Sequence, residues 1–122
     1  MFAVDHIDHV EVFVRDIEHA CKWYAQVLGL QQVARWDPEP VMIGAGGTKL
    51  ALFRANREGR PESHGLAWHR VAWKTDAAGF ERAQAHLRRL GISFRGPVDH
   101  RVAQSIYFED LDGHLLEITY YL

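Results

Sequence analysis

A duplication within the 122 residues restricts the fold more than any other feature. IDHVEVFVRDIEHACKWYAQVLGL (7–30) and AWHRVAWKTDAAGFERAQAHLRRLGI (67–92) follow one plan. Each opens with a strand-like run containing a histidine, His9 or His69, and reaches an aspartate seven residues later, Asp16 or Asp76. Each then runs at helical spacing into Leu-Gly-Leu (28–30) or Leu-Gly-Ile (90–92). Asp16 suits an N-cap, Asp76 a cap or first helical residue, and Gly29 and Gly91 left-handed stops. Ile17, Ala20, Cys21, Tyr24 and Leu28 mark one apolar helix face; Phe80, Ala83, Leu87 and Leu90 mark the other. The segments after the helices also match. QQVARW (31–36), PVMIG (40–44) and KLALF (49–53) correspond to SFRG (93–96), QSIYFE (104–109) and HLLEITYY (114–121). Each half therefore reads as βαβββ. The pattern predicts an α+β fold, with two such modules forming a curled eight-stranded sheet around a cavity. Module 1 spans about 5–55 and module 2 about 66–122 of a single domain, 1–122, joined by the polar linker NREGRPESHG (56–65).

At 48% hydrophobic, a chain of this length can build one genuine core. Net charge is −2 with both signs scattered, which argues against a nucleic-acid groove or a polybasic membrane patch. No stretch approaches the roughly 18 apolar residues of a membrane span, and MFAVDHIDHVEVF lacks the basic start and apolar run of a signal peptide. The single cysteine, Cys21, excludes an internal disulfide. It reads as a small packing residue, and the expected compartment is the cytoplasm.

Side-chain alternation along strands locates the chemistry. In the first strand Val10, Val12 and Val14 share an apolar face, and His9, Glu11 and Phe13 share the opposite one. In the last strand Leu116, Ile118 and Tyr120 oppose Leu115, Glu117 and Thr119. Glu117 thus interrupts a buried run, and a buried carboxylate needs a cation or hydrogen bonds. Setting His69, Val71 and Trp73 toward the cavity completes the pattern, although it leaves Arg70, Ala72 and Lys74 as poor core material. A lone strand histidine is usually structural. Two at repeat-equivalent positions, with one acid, read instead as a facial triad. His9, His69 and Glu117 are the expected metal ligands. Two imidazoles and a carboxylate suit Fe(II), with Mn(II) or Zn(II) as alternatives, and leave coordination positions open.

DHVEVFVRDIEHACKWYAQVLGL, HRVAWKTD and SIYFEDLDGHLLEI together resemble the vicinal oxygen chelate superfamily, also called the glyoxalase/bleomycin resistance/dioxygenase superfamily, over nearly the whole chain. The resemblance implies metal ligands on strand 1 of each module and on the final strand, which here are His9, His69 and Glu117. Glyoxalase I-type isomerases add an acid where this chain has Ala51, so the three-ligand pattern of extradiol dioxygenases and fosfomycin-inactivating thiol transferases fits better. GPVDHRVAQSIYFEDLDGHLLEI (96–118) is similar to the catechol 2,3-dioxygenase-like group. That likeness implies that Tyr107 hydrogen-bonds a substrate oxygen. His100 and His64 are candidate acid/base groups, with a plain surface role as the alternative for each. Leu111 departs from the group's usual turn proline.

The expected function is a divalent-metal-dependent, extradiol-type dioxygenase acting on a small catechol-like aromatic. One alternative is a fosfomycin-resistance-type thiol transferase, or another glyoxalase-like lyase or isomerase. ARWD (34–37), Ser105 and Tyr107 occur in comparable places in the transferase group, but its basic cluster is represented in GPVDHRVAQ only by Arg101. A small-molecule (antibiotic) binding protein is a second alternative, although metal-free members generally lack the triad. The resemblance also implies a homodimer. In some members the first-module histidine crosses between chains, which here would take His9 to the partner's His69 and the partner's Glu117. Glu11 is a possible base or fourth ligand, or simply solvated. Trp36, Trp68 and Trp73 are pocket walls or core. His6, His19 and His86 read as surface residues, Asp110 and Asp112 as turn formers, and His114 as support for that hairpin.

Overall fold

A computed structural model describes residues 2–55 and 69–122. The linker 56–65, with His64, and also Trp68 lie outside the described residues. The chain divides into two compact units, Met1–Glu62 and Ser63–Leu122. Both have the expected α+β composition. Among the described residues eight strands lie in two four-stranded sheets, one per module.

In the first unit β1 (Val10–Val14), α1 (Ile17–Leu28), β2 (Gln31–Arg35), β3 (Val41–Ala45) and β4 (Thr48–Arg54) follow in sequence. The sheet order is β1-β4-β3-β2, with β1 parallel to β4 and the other pairs antiparallel. Asp16 caps α1 by accepting the His19 N–H at 2.9 Å. Gly29 ends the helix at φ 71°, a left-handed conformation that glycine enters without a Cβ clash. Val14, Tyr24, Leu30, Val41, Ile43, Leu50 and Leu52 form the buried core. Along β1, Glu11 and Phe13 are exposed while Val14 is fully buried, so the alternation read from the sequence holds.

The second unit repeats the plan with β5 (Val71–Lys74), α2 (Ala77–Arg89), β6 (Arg95–Asp99), β7 (Ala103–Glu109) and β8 (Leu115–Tyr121). The order is β5-β8-β7-β6, again with the first strand parallel to the last. Asp76 caps α2 through the Gly79 N–H at 2.7 Å. Phe80, Leu87, Ile106, Phe108, Leu116 and Ile118 are buried, and the Phe80 ring lies 4.9 Å from that of Tyr120. α2 therefore covers the Leu116/Ile118/Tyr120 face. β6 runs from Arg95 to Asp99 rather than ending at Gly96, with an irregularity between Arg95 and Val98. As an edge strand it tolerates Pro97, which has no N–H to donate.

One register differs from the repeat. In module 1 Glu11, two residues after His9, pairs with Ala51. In module 2 Ala72, three residues after His69, pairs with Glu117. A one-residue slip sends every side chain of a strand to the opposite face. Val71 and Trp73 therefore lie beside Leu116 and Ile118, and Ala72 and Lys74 beside Glu117 and Thr119. The expectation that His69, Val71 and Trp73 share the face of Glu117 is corrected for Val71 and Trp73, and His69 lies before the paired strand. The cause is the sequence of β5 itself. The repeat register would turn charged side chains toward α2 without partners, costing several kcal/mol per ion. The slipped register half-buries a valine and a tryptophan, each gaining on the order of 1–2 kcal/mol.

Candidate metal and substrate site

Glu117 is half-buried on β8, and Ser105 on β7 donates a hydrogen bond to its Oε2 at 2.7 Å. Ser105 is fully buried, and its hydroxyl also lies 2.9 Å from Thr119 Oγ1. Thr119 spends its own hydrogen on the Gln104 carbonyl at 3.1 Å. The single Ser105 hydrogen thus has two acceptors. Among the described residues Glu117 has no ion-pair partner within salt-bridge distance.

The register sets a row of four across the second sheet. Ala72 pairs with Glu117, Glu117 with Tyr107, and Tyr107 with Arg95. Tyr107 Oη lies 2.6 Å from His100 Nε2, so one short hydrogen bond joins a phenol to a loop imidazole. Two guanidinium groups stand over the Tyr107 ring, Arg70 at 4.4 Å and Arg95 at 4.5 Å from its centroid. Tyr107 and His100 are therefore brought together on the face of Glu117. The sequence reading missed both arginines. Arg70 carried the signal, because a charged residue at a presumed core position foretold the slip. Arg101, the only basic residue expected there, is instead exposed at φ 73°, with its backbone N–H on Asp99.

The two histidines have different surroundings. His69 precedes β5, is exposed, and accepts at Nε2 from Arg70 Nη2 at 2.7 Å. His9 is half-buried, with Asp8 2.8 Å from Nδ1 and Glu11 3.1 Å from Nε2. The hydrogen bond to Asp8, followed by that to Glu11, raises the His9 pKa above its usual range. The His9 contact, with Lys49 Nζ at 3.1 Å, lowers that of Asp8. Imidazole and carboxylate are each donor types that suit a divalent ion.

Asp110, Asp112 and His114 bring ligand-type atoms within 4.8 Å of one another in the β7–β8 turn. Hydrogen bonding accounts for the central member. Asp110 Oδ1 accepts the N–H groups of Asp112 and His114 at 2.9 Å each, and Oδ2 lies 2.7 Å from His114 Nδ1. Asp110→Ala strands these donors and should cost about 2–4 kcal/mol, roughly 10 °C in the melting midpoint. The Asp110 hydrogen bond raises the His114 pKa, with Asp112 adding a smaller pull. That stabilisation is complete below pH 6.5, the reference value, and is lost as pH rises through the raised folded value. Melting scans across this range should show a smaller loss in His114→Gln than in the parent, the remainder coming from groups such as His9 whose pKa is also raised.

The model of the Glyoxalase/Bleomycin resistance protein/Dioxygenase superfamily matches residues 6–118. The chain belongs to this superfamily. The virulence protein STM3117 of Salmonella typhimurium is 29% identical over 125 residues, covering 98% of this chain and 86% of that protein. Its crystal structure superposes with a TM-score of 0.80 at 26% identity, covering 99% of this chain and all of that one. A catechol-2,3-dioxygenase of Bacillus subtilis is 27% identical over 93% of this chain, which spans only 40% of that enzyme. The fosfomycin resistance protein FosX of Mesorhizobium japonicum is 24% identical, covering 94% of this chain and 85% of FosX. Among the described residues no helix is long and apolar enough to cross a membrane.

Proposed function

We propose that this protein is a divalent-metal-dependent enzyme of the superfamily, an extradiol-type dioxygenase that acts on a small catechol-like aromatic. The half-buried carboxylate of Glu117, which has no ion-pair partner among the described residues, carries this reading. His9, His69 and Glu117 would hold the ion, Fe(II) first and Mn(II) or Zn(II) as alternatives. Such an ion supplies Lewis acidity and open positions for substrate oxygens. Tyr107 Oη orients a substrate oxygen on the Glu117 face, and His100 holds or accepts the proton at that hydroxyl. His64 is kept as an additional base. The active form is a homodimer, with His9 reaching the partner's Glu117 in the shared-site version.

The Bacillus relative supports ring cleavage by its name. A fosfomycin-resistance-type reaction is the second reading, favoured by the two guanidiniums over Tyr107 and by the likeness to FosX. Protein reloaded anaerobically with Fe(II) should consume one oxygen per catechol cleaved and lose activity when the iron is oxidised. Thiol-dependent epoxide opening without oxygen uptake would replace this reading with the second. A tight ligand with no turnover would make the chain a binding protein.

A further inference from the structure

His69 and Arg70 adjoin just before β5, and Arg70 Nη2 stands 2.7 Å from His69 Nε2. A guanidinium has five donors and no acceptor, so the imidazole accepts. His69 Nε2 therefore carries no proton, and the ring hydrogen sits on Nδ1. Both ring nitrogens are thereby committed. Arg70 holds this contact at a cost. Its Nε is buried and has no hydrogen-bond partner among the described residues, and an unsatisfied buried donor is destabilising. Stacking 4.4 Å over the Tyr107 ring offsets part of that cost. Release of the guanidinium would give the buried donor to water, which narrows the gap between the held and released positions.

We infer that Arg70 is an internal cation that competes with a divalent ion for His69, closing that ligand while it is bound to Nε2 and opening it when released. The competition rests on the reading above in placing an ion at His69; the fixed tautomer does not. Either ring nitrogen costs the Arg70 contact. An ion on Nε2 would take the lone pair that Arg70 holds. An ion on Nδ1 would move the ring hydrogen to Nε2, against a guanidinium N–H that can only donate. Guanidinium and ion are also like charges, and they repel at this range. Arg70 is thus a positioning residue that acts through His69.

Nitrogen-15 NMR of protein stripped with a chelator reads the tautomer without any ion. His69 should show a protonated Nδ1 and a bare Nε2 in the parent and in Arg70→Lys, which keeps a donor. Arg70→Met, of similar length with no donor, should give an averaged ring. A parent ring that is already averaged, or one that Arg70→Met leaves fixed, overturns the inference. Calorimetric titration with zinc then reads the competition. Arg70→Met should bind zinc at least about tenfold more tightly than the parent. Adding Arg70→Met to His69→Ala should restore no binding, because the competition runs through that ring. Equal or weaker binding by Arg70→Met, or a gain in the double variant, overturns the inference and leaves the metal reading standing. Zinc bound by neither the parent nor Arg70→Met sinks the metal reading and the competition with it, while the tautomer still decides the contact. If Arg70→Met fails to fold, the parent suffices. Zinc should open the Arg70 Nε–H to exchange with water, and continued protection at saturation overturns the inference.

Discussion

Alanine at His9, His69 or Glu117 should abolish stoichiometric binding of a divalent ion while the chain stays folded. This is the largest effect expected of any single change. A facial triad has no spare protein ligand, so each loss should weaken affinity more than about a hundredfold, beyond what losing an outer hydrogen-bond partner costs. Folding survives because none of the three belongs to the buried core. His69 is exposed, and His9 and Glu117 are half-buried. Removing Glu117 also leaves the Ser105 hydroxyl with Thr119 as an acceptor. Metal analysis of chelator-free preparations, read beside circular dichroism, decides the matter. Full metal content in all three variants would falsify the ligand assignment. Mixing His9→Ala chains with Glu117→Ala chains tests whether a site draws on two subunits. Shared sites regain part of the metal capacity in mixed dimers, whereas sites built within one chain regain none.

Local chemistry was legible in the sequence because a few residues suffice to determine it. Asp16 and Asp76 cap their helices through their own carboxylates, and Gly29 adopts the left-handed stop. The faces of β1 were readable because alternation there is clean, with valines on one side and His9, Glu11 and Phe13 on the other. β5 defeated the same method. Its four residues, VAWK, place a small apolar residue and a charged one on one face, so the repeat and the burial pattern disagree. Pairing with β8 decides in favour of burial. β6 was misplaced because Gly96 and Pro97 look like punctuation, yet an edge strand accommodates both. The stacking of Arg70 and Arg95 on Tyr107 was out of reach for a related reason. It joins the start of β5 to β6 and β7, and depends on a register that no local pattern specifies.

Tyr107→Phe should lower turnover ten- to a hundredfold and leave metal content unchanged. The substitution removes Oη alone. The ring remains to carry Arg70 and Arg95, and the Ser105–Glu117 hydrogen bond is untouched. What would be lost is the proposed hydrogen bond to the reacting oxygens, together with the 2.6 Å contact between Tyr107 and His100. One such bond is worth roughly 1–3 kcal/mol, which sets the expected range. His100→Gln should act in the same direction. The double variant should be little worse than the more damaging single one, because phenol and imidazole would serve one proton path and their losses would not add. Additive losses would mean that the two groups act separately, with the short contact merely structural. Unchanged turnover in Tyr107→Phe would remove the hydroxyl from the chemistry altogether. Measuring the pair with catechol and oxygen, and again anaerobically with thiol and epoxide, shows which reaction depends on them. Dependence confined to the aerobic assay supports ring cleavage. Dependence confined to the anaerobic assay transfers Tyr107 and His100 to epoxide opening.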